Sequence, residues 1–170
     1  MSNSSVFSSI QTICSTYKDK LEHLPDAQFQ TTPPIGGWSY SEVYDHIFDV
    51  SLLSLIPMEE AINGNGEKKE TAFIVKLILF FGMFPPAKKF KVPKRFESRV
   101  KKINKTEARA WIDKFLQQLV IDYATIEKAD PAIKTLHPRL GYLNANQWLR
   151  VIEIHLNHHL KQLKRIEKSL

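Results

Sequence analysis

Cysteine is nearly absent from this chain. Cys14 is the single one, which excludes an internal disulfide framework and any cysteine-rich zinc site. Lying within an amphipathic helical pattern, it reads as a buried structural thiol rather than a nucleophile. A Gly-rich phosphate loop, a nucleophile elbow and an H-E-x-x-H pattern are also missing. So are internal repeats, low-complexity tracts and the period-two alternation of strands. The first residues, Met1-Ser-Asn-Ser-Ser, carry neither a basic n-region nor a signal-like apolar core, and a cytoplasmic protein is expected. The apolar run from Ala72 to Phe84 contains Lys76 and is shorter than the roughly 20 residues that span a bilayer. A buried short helix, a dimer contact and an interfacial membrane element all fit it.

Acidic residues are scarce in one place. From Lys88 to Lys105 there are nine basic residues and one acid, Glu97, a local charge of +8. Set against a total of +6, that leaves −2 for the rest of the chain. This is one local patch, not the uniformly basic surface of a nucleic-acid binder. Phe90 and Phe96 interleave the cations, as in single-strand binders, but no nucleic-acid motif accompanies them and a nucleic-acid partner is not expected. An apolar wedge from Phe73 to Phe84 beside clustered cations is also an interfacial membrane signal. A fully apolar helix is more often buried or part of an oligomer interface.

What is present is helical periodicity. With 170 residues, 43% of them hydrophobic, one globular domain over 1–170 can bury a substantial core. Val6, Ile10, Ile13, Tyr17 and Leu21 recur at spacings of three and four, predicting a first helix capped by Ser4 or Ser5 and ended by Pro25. The stretch Thr31 to Gly37 has adjacent prolines and paired glycines and is a loop. Ser39 and Glu42 form a capping box for a second helix, with Val43, His46, Ile47, Val50 and Leu53 facing inward. Pro57 predicts a kink or early stop there, with fraying by Asn63-Gly-Asn-Gly66. Pro85-Pro86 ends the short apolar helix, and the basic segment through Pro93 is expected to be extended and exposed. A third long helix begins near Asn104 to Thr106, with Thr106 as cap, buries Ile112, Phe115, Leu119, Tyr123 and Ile126, and ends at Asp130-Pro131. The span from Thr135 to Tyr142 is a turn-rich connection. Asn144 with Gln147 caps the last helix, whose stripe is Trp148, Ile152, Leu163 and Ile166. The expected fold is therefore an all-α four-helix bundle, with a short extra apolar helix and a basic extended connection between helices 2 and 3.

His155 and His159 fall on that last inward stripe, four residues apart. Imidazoles facing a core need polar partners or a metal ion. His46, on the buried stripe of the second helix, is the natural third ligand for a borderline divalent ion such as zinc, and three protein ligands leave a position open. A satisfied set of core histidines is the plain alternative. Asp49, three residues after His46, could orient it or act as a base, or could be a helix-pairing carboxylate. Gln162, three residues after His159, could touch a ligand or lie on the helix surface. His158 reads as a rim residue, His23 as exposed, and His137, before Pro138, as fixing a turn.

The stretches Trp38-Ser-Tyr-Ser-Glu-Val-Tyr-Asp-His46 and His137-Pro-Arg-Leu-Gly-Tyr-Leu-Asn-Ala-Asn-Gln-Trp148, followed by His155-x-x-x-His159-x-x-Gln162, resemble the DinB-like superfamily. That group includes the bacillithiol-transferase-like and mycothiol-dependent metalloenzymes. The resemblance implies a four-helix bundle with two crossed connections and a divalent ion on one histidine of the second helix and two of the last. Residue by residue these are His46, His155 and His159. Zinc or nickel is expected, in a homodimer acting on a small-molecule substrate. Three neutral imidazoles leave the ion's charge uncompensated, favouring the deprotonated form of a bound water or thiol. Two reactions follow: hydrolysis, or transfer of a low-molecular-weight thiol to an electrophile. Asp49 and Gln162 are the candidate catalytic groups beside the metal set.

Overall fold

The computed structural model describes residues 2–85 and 99–170. Four long helices build the domain: α1 (Asn3–His23), α3 (Tyr40–Ile62), α5 (Lys105–Tyr123) and α6 (Ala145–Glu167). Two short ones join them, α2 (Asp26–Gln30) and α4 (Phe73–Phe81). The principal packing runs round the ring α1, α6, α3, α5 and back to α1. The successive pairs α1, α3 and α5, α6 are thus diagonal, and the connections within both pairs cross the bundle. An all-α bundle with a short extra helix after the second long one is the architecture the periodicities call for. The expected extended form of the basic connection falls mostly on residues 86–98 and lies outside the described residues.

Each long helix starts where a side chain satisfies its orphan amides. Ser39 and Glu42 form the capping box of α3, and Asn144 and Gln147 that of α6. Two caps differ from expectation. Ser2, not Ser4 or Ser5, accepts from the Ser5 amide and starts α1 earlier. Asn104 rather than Thr106 caps α5, because Glu107 then sits three residues on and closes a reciprocal box with it.

Pro57 does not stop α3, which continues to Ile62. Proline in a helix interior costs about 3 kcal/mol. Beyond it Met58 and Ala61 are fully buried on the stripe of Leu55, and that burial offsets the lost bond. The helix gives way at Asn63 and Gly64, where the backbone turns to positive φ. α5 ends at Tyr123, earlier than Asp130-Pro131. Ile126 reaches the core from a 3-10 turn, Ile126–Lys128.

The turn-rich connection contains strands that no periodicity announced. β1 (Glu67–Lys68), β2 (Ile133–His137) and β3 (Gly141–Leu143) form an antiparallel sheet in that order, with Glu67 opposite Lys134 and His137 opposite Gly141. Runs of two to five residues are too short to show alternation. Gly66 is required beside β1: a Cβ there would lie 2.6 Å from the Lys134 carbonyl oxygen. The sheet braces the bundle, since the Thr135 hydroxyl donates to Pro57 O of α3 at 2.8 Å and accepts from Trp148 Nε1 of α6 at 2.8 Å.

Further bonds fix the helix pairs. Tyr17 OH donates to Leu156 O and Tyr44 OH to Tyr17 O, both at 2.8 Å. The three thereby link α1, α3 and α6 across one aromatic cluster, with Tyr17 edge-on to Tyr44 and to Phe48. On the outer side of α3 the incoming chain is laced down at three points. Arg99 pairs with Asp49, the Lys101 amide donates to Asp45 Oδ2 at 3.0 Å, and the Ile103 amide donates to Ser41 Oγ at 2.6 Å. Steps of two residues in an extended chain, about 6.6 Å, match steps of four in a helix, about 6 Å, so the two run antiparallel in register.

α4 is half buried rather than enclosed. Val75 and Ile78 pack inward, while Phe73, Ile74, Phe80 and Phe81 are exposed, Phe80 to 79%. Among the described residues no helix is long and apolar enough to cross a membrane.

Candidate metal centre

α3 and α6 are the most extensively packed pair in the bundle, and their contact brings His46 to His155 and His159. The ring of His46 lies 4.9 Å from that of His159 and 5.6 Å from that of His155, centroid to centroid. One ligand nitrogen from each of the three falls within 4.8 Å of the other two. His155 Nε2 and His159 Nε2 are 3.1 Å apart. Two nitrogens bound tetrahedrally to one zinc at 2.0 to 2.1 Å would be separated by about 3.3 Å. The pair is therefore nearly at ligand spacing already.

Protonation suits the same role. His46 and His159 are buried, and His155 is half buried. Burial pushes His46 down to about 4, against the upward pull of Asp49. Burial, together with His46 and His158, takes His159 down to about 3. His155 is driven well below the usual imidazole range by burial and then by the charge its neighbours would carry. All three are neutral near pH 7, so each has a lone pair to offer.

Orientation comes from the surroundings. Gln162 Oε1 lies 2.7 Å from His159 Nδ1. An amide carbonyl only accepts, so when the side chain is placed this way His159 carries its proton on Nδ1 and its lone pair on Nε2, facing His155. Gln162 thus holds a histidine in the ligating tautomer. Trp38 leans on His46 with centroids 4.8 Å apart and walls that side of the centre. Trp38 lies within the stretch that carries the resemblance, but in sequence it is merely the residue before a cap; eight positions of loop and helix separate it from His46.

Asp49 is engaged elsewhere. Arg99 donates to it twice, Nε to Oδ2 at 3.2 Å and Nη2 to Oδ1 at 3.0 Å, although its charge still favours protonation of His46. His158 is exposed at the rim, edge-on to Phe84. His23 is exposed on α1. His137 does fix a turn, as its Nδ1 accepts from the amides of Arg139 and Leu140. Cys14 is fully buried, with its thiol pushed up to about 12 by burial, against Lys18. It is not a nucleophile. Of the cations in the basic segment, Lys102 donates to Gln30 O and Lys105 to Leu24 O, both at 2.7 Å, so these two brace the α2 corner.

A bundle with two crossed connections and three convergent neutral imidazoles on its second and last long helices defines a class of potential metalloproteins. The chain belongs to the DinB superfamily, whose family model matches residues 16–163. Among solved structures it is similar to TT2238, a four-helix bundle protein, with 19% identity, a TM-score of 0.62 and coverage of 96% of this chain and 99% of that one. It is also similar to YfiT from Bacillus subtilis, described as a probable metal-dependent hydrolase with an unusual four-helix bundle topology. There the identity is 14%, the TM-score 0.67, and the coverage 99% of this chain and 89% of that one. A search of curated protein sequences found no match.

Proposed function

We propose that this protein is a metal-dependent hydrolase of small molecules, with a divalent ion, zinc or nickel, on His46, His155 and His159. The observation that carries the reading is the convergence of three neutral imidazoles, one nitrogen from each within 4.8 Å of the others. A core that wanted only to satisfy two histidines could pair them with each other; bringing a third buried imidazole to the same point leaves nitrogen lone pairs without donors. The hydrolase description of YfiT, a neighbour in fold, lends support.

The ion, when bound, supplies Lewis-acid activation of a water or thiol. The chain's own residues hold and orient. His46 is presented from the early turns of α3 and kept in place by Trp38, while Gln162 fixes the proton of His159 on Nδ1. The aromatic cluster around Tyr17 and the Thr135 bridge keep α3 and α6 in register, so the three nitrogens stay convergent. Thiol transfer would use the same ion with a separate low-molecular-weight thiol, since Cys14 is buried and unreactive.

The test is metal analysis of protein prepared without a histidine tag, beside His155→Ala. Roughly one ion per chain in the wild type and loss in the variant is the expected result. Negligible metal in both refutes the reading. Metal-dependent hydrolysis of a model ester without added thiol supports the hydrolase; turnover of an electrophile only when both metal and thiol are supplied assigns transfer instead.

A further inference from the structure

Among the described residues nothing covers one apolar face of α4. Phe73, Ile74, Leu77, Phe80 and Phe81 share that side of the helix by their spacing. Leu77 is half buried; the other four, with Met83 beyond them, are 53% to 79% exposed. The exposure is built in, because the helix is pinned at both ends. Before it, the Thr71 hydroxyl lies 2.9 Å from both Tyr142 O and Gln147 Oε1. Near its end, Arg150 Nε of α6 donates to Leu79 O at 3.0 Å. Gly82 then closes it at a φ of 68°, where a Cβ would strike the Arg150 guanidinium. With Val75 and Ile78 buried beneath, the phenylalanines are held outward.

These side chains expose on the order of 600 Å², at the top of the range of about 300–600 Å² for the largest apolar patch on a monomer, and patches of that size mark partners. The face is convex. A small apolar ligand needs a concavity that encloses it, so the partner that fits is itself a surface. A helix of nine residues is too short to span a bilayer, but it can lie in the plane of one with its apolar face in the acyl boundary.

Charge decides between a lipid surface and a second copy of the chain. Lys76 is exposed at the edge of the face, beside Glu70. At the far end Phe84 is edge-on to His158, ring centroids 5.7 Å apart. Lys161 and Arg165, three and seven residues after His158, are exposed on the same side of α6. In sequence, Glu67 to Glu97 holds eight lysines and arginines against three glutamates, 8 − 3 = +5. A two-fold contact through this face would set those cations against their own copies. Anionic headgroups would neutralise them instead.

We propose that α4 docks the protein on anionic lipid surfaces, with Phe73, Ile74, Phe80 and Phe81 entering the bilayer boundary and the surrounding cations facing the headgroups. The inference is independent of the metal-site reading. Where both hold, the three-histidine centre lies at the edge of the docked face, since the His158 ring that meets Phe84 is 5.2 Å from that of His159.

Co-sedimentation of the full chain with vesicles is the test. Wild type should pellet with vesicles of equal parts phosphatidylcholine and phosphatidylglycerol, bind pure phosphatidylcholine at least about tenfold more weakly, and be released as salt rises. Phe80→Ser combined with Phe81→Ser should weaken binding to the mixed vesicles by about tenfold or more, with helical circular dichroism and melting temperature unchanged. Val120→Ser combined with Ile121→Ser, which removes equally exposed apolar side chains from α5, should bind as wild type does. Wild type that ignores the mixed vesicles, undiminished binding by the α4 variant, or equal losses in the two variants overturns the proposal. Sedimentation velocity without lipid should find wild type and the α4 variant in the same assembly state. A wild-type dimer that only the α4 variant breaks into monomers assigns the face to a second copy and overturns lipid docking.

Discussion

α3 meets α6 across imidazoles and α5 across carboxyl groups, and burial acts in opposite senses on His46 and His159 and on Asp122 of α5. On the α6 side, loss of water removes protons from His46 and His159 and leaves lone pairs that converge. On the α5 side, a groove of about 390 Å³ is lined by Asp49, Glu59, Trp111 and Asp122. There burial raises Asp122, Glu59 raises it further, and the hydrogen bond from Gln118 opposes both. Desolvation always favours the neutral form, but neutral imidazole is a better ligand whereas neutral carboxyl is a worse one. The α5 side, for all its hollow, is thus the less equipped for metal chemistry. The comparison teaches that volume and donor character have to be read separately.

The strongest way to break this comparison is to damage one side and look for effects on the other. Phe115→Ala, on the α5 side of the core, should cost about 3–5 kcal/mol in denaturant unfolding while the folded fraction still binds metal. Loss of metal from that folded fraction would show that the two faces of α3 are not independent. His155→Ala should lower metal affinity by more than about 100-fold in a chelator competition, exceeding what outer partners contribute, with the helical circular dichroism unchanged. Gln162→Ala removes only the orienting partner of His159, and the expected loss is about 10- to 100-fold in the same assay.

Acid titration sharpens the contrast further. His46 and His159 have folded values of about 4 and about 3, below the unfolded imidazole value. The stability of metal-free protein is therefore full above pH about 6.5 and falls as the pH drops towards 4, where the unfolded chain takes up protons first. Asp122 runs the other way: its raised folded value means that its contribution is present at low pH and is lost as pH rises through that value. The smallest effect is accordingly expected for Asp122→Asn, a modest rise in melting temperature at pH 7 that vanishes below pH about 3.8. A fall at pH 7 would mean that the carboxylate is held by something that favours its charge.

The helices were legible because each writes its stripe and its cap within a few residues. Ser39 with Glu42 and Asn144 with Gln147 are three apart, and Val6 to Leu21 shows every inward position of α1. His155 and His159 were legible as a pair for the same reason, and the stripe of α3 singled out His46. What brings His46 to them is tertiary: a helix pair more than a hundred residues apart, whose identity as neighbours came from the family resemblance and not from spacing. The Asp49–Arg99 pair joins residues 50 apart, so no local pattern shows that this carboxylate is engaged. Short strands and the α2 turn were missed because two to five residues hold too few repeats of either period to stand out from the surrounding loop. The early stop allowed for at Pro57 does not occur, because local propensity is a few kcal/mol at most and the burial of Met58 and Ala61 overrides it; the helix ends instead at Asn63, where the Asn-Gly run begins.

The lacing of Arg99, Lys101 and Ile103 onto Asp49, Asp45 and Ser41 sets where α5 begins and which way it is rotated about its axis. Those contacts lie within the last turn of chain before α5, so the rotational phase of the helix is fixed at its own doorstep, inside the end of the basic segment. To roll about its axis α5 would have to break all three before Ile112, Phe115 and Leu119 could leave the core, so a short run of extended chain serves as a detent for the helix that follows it.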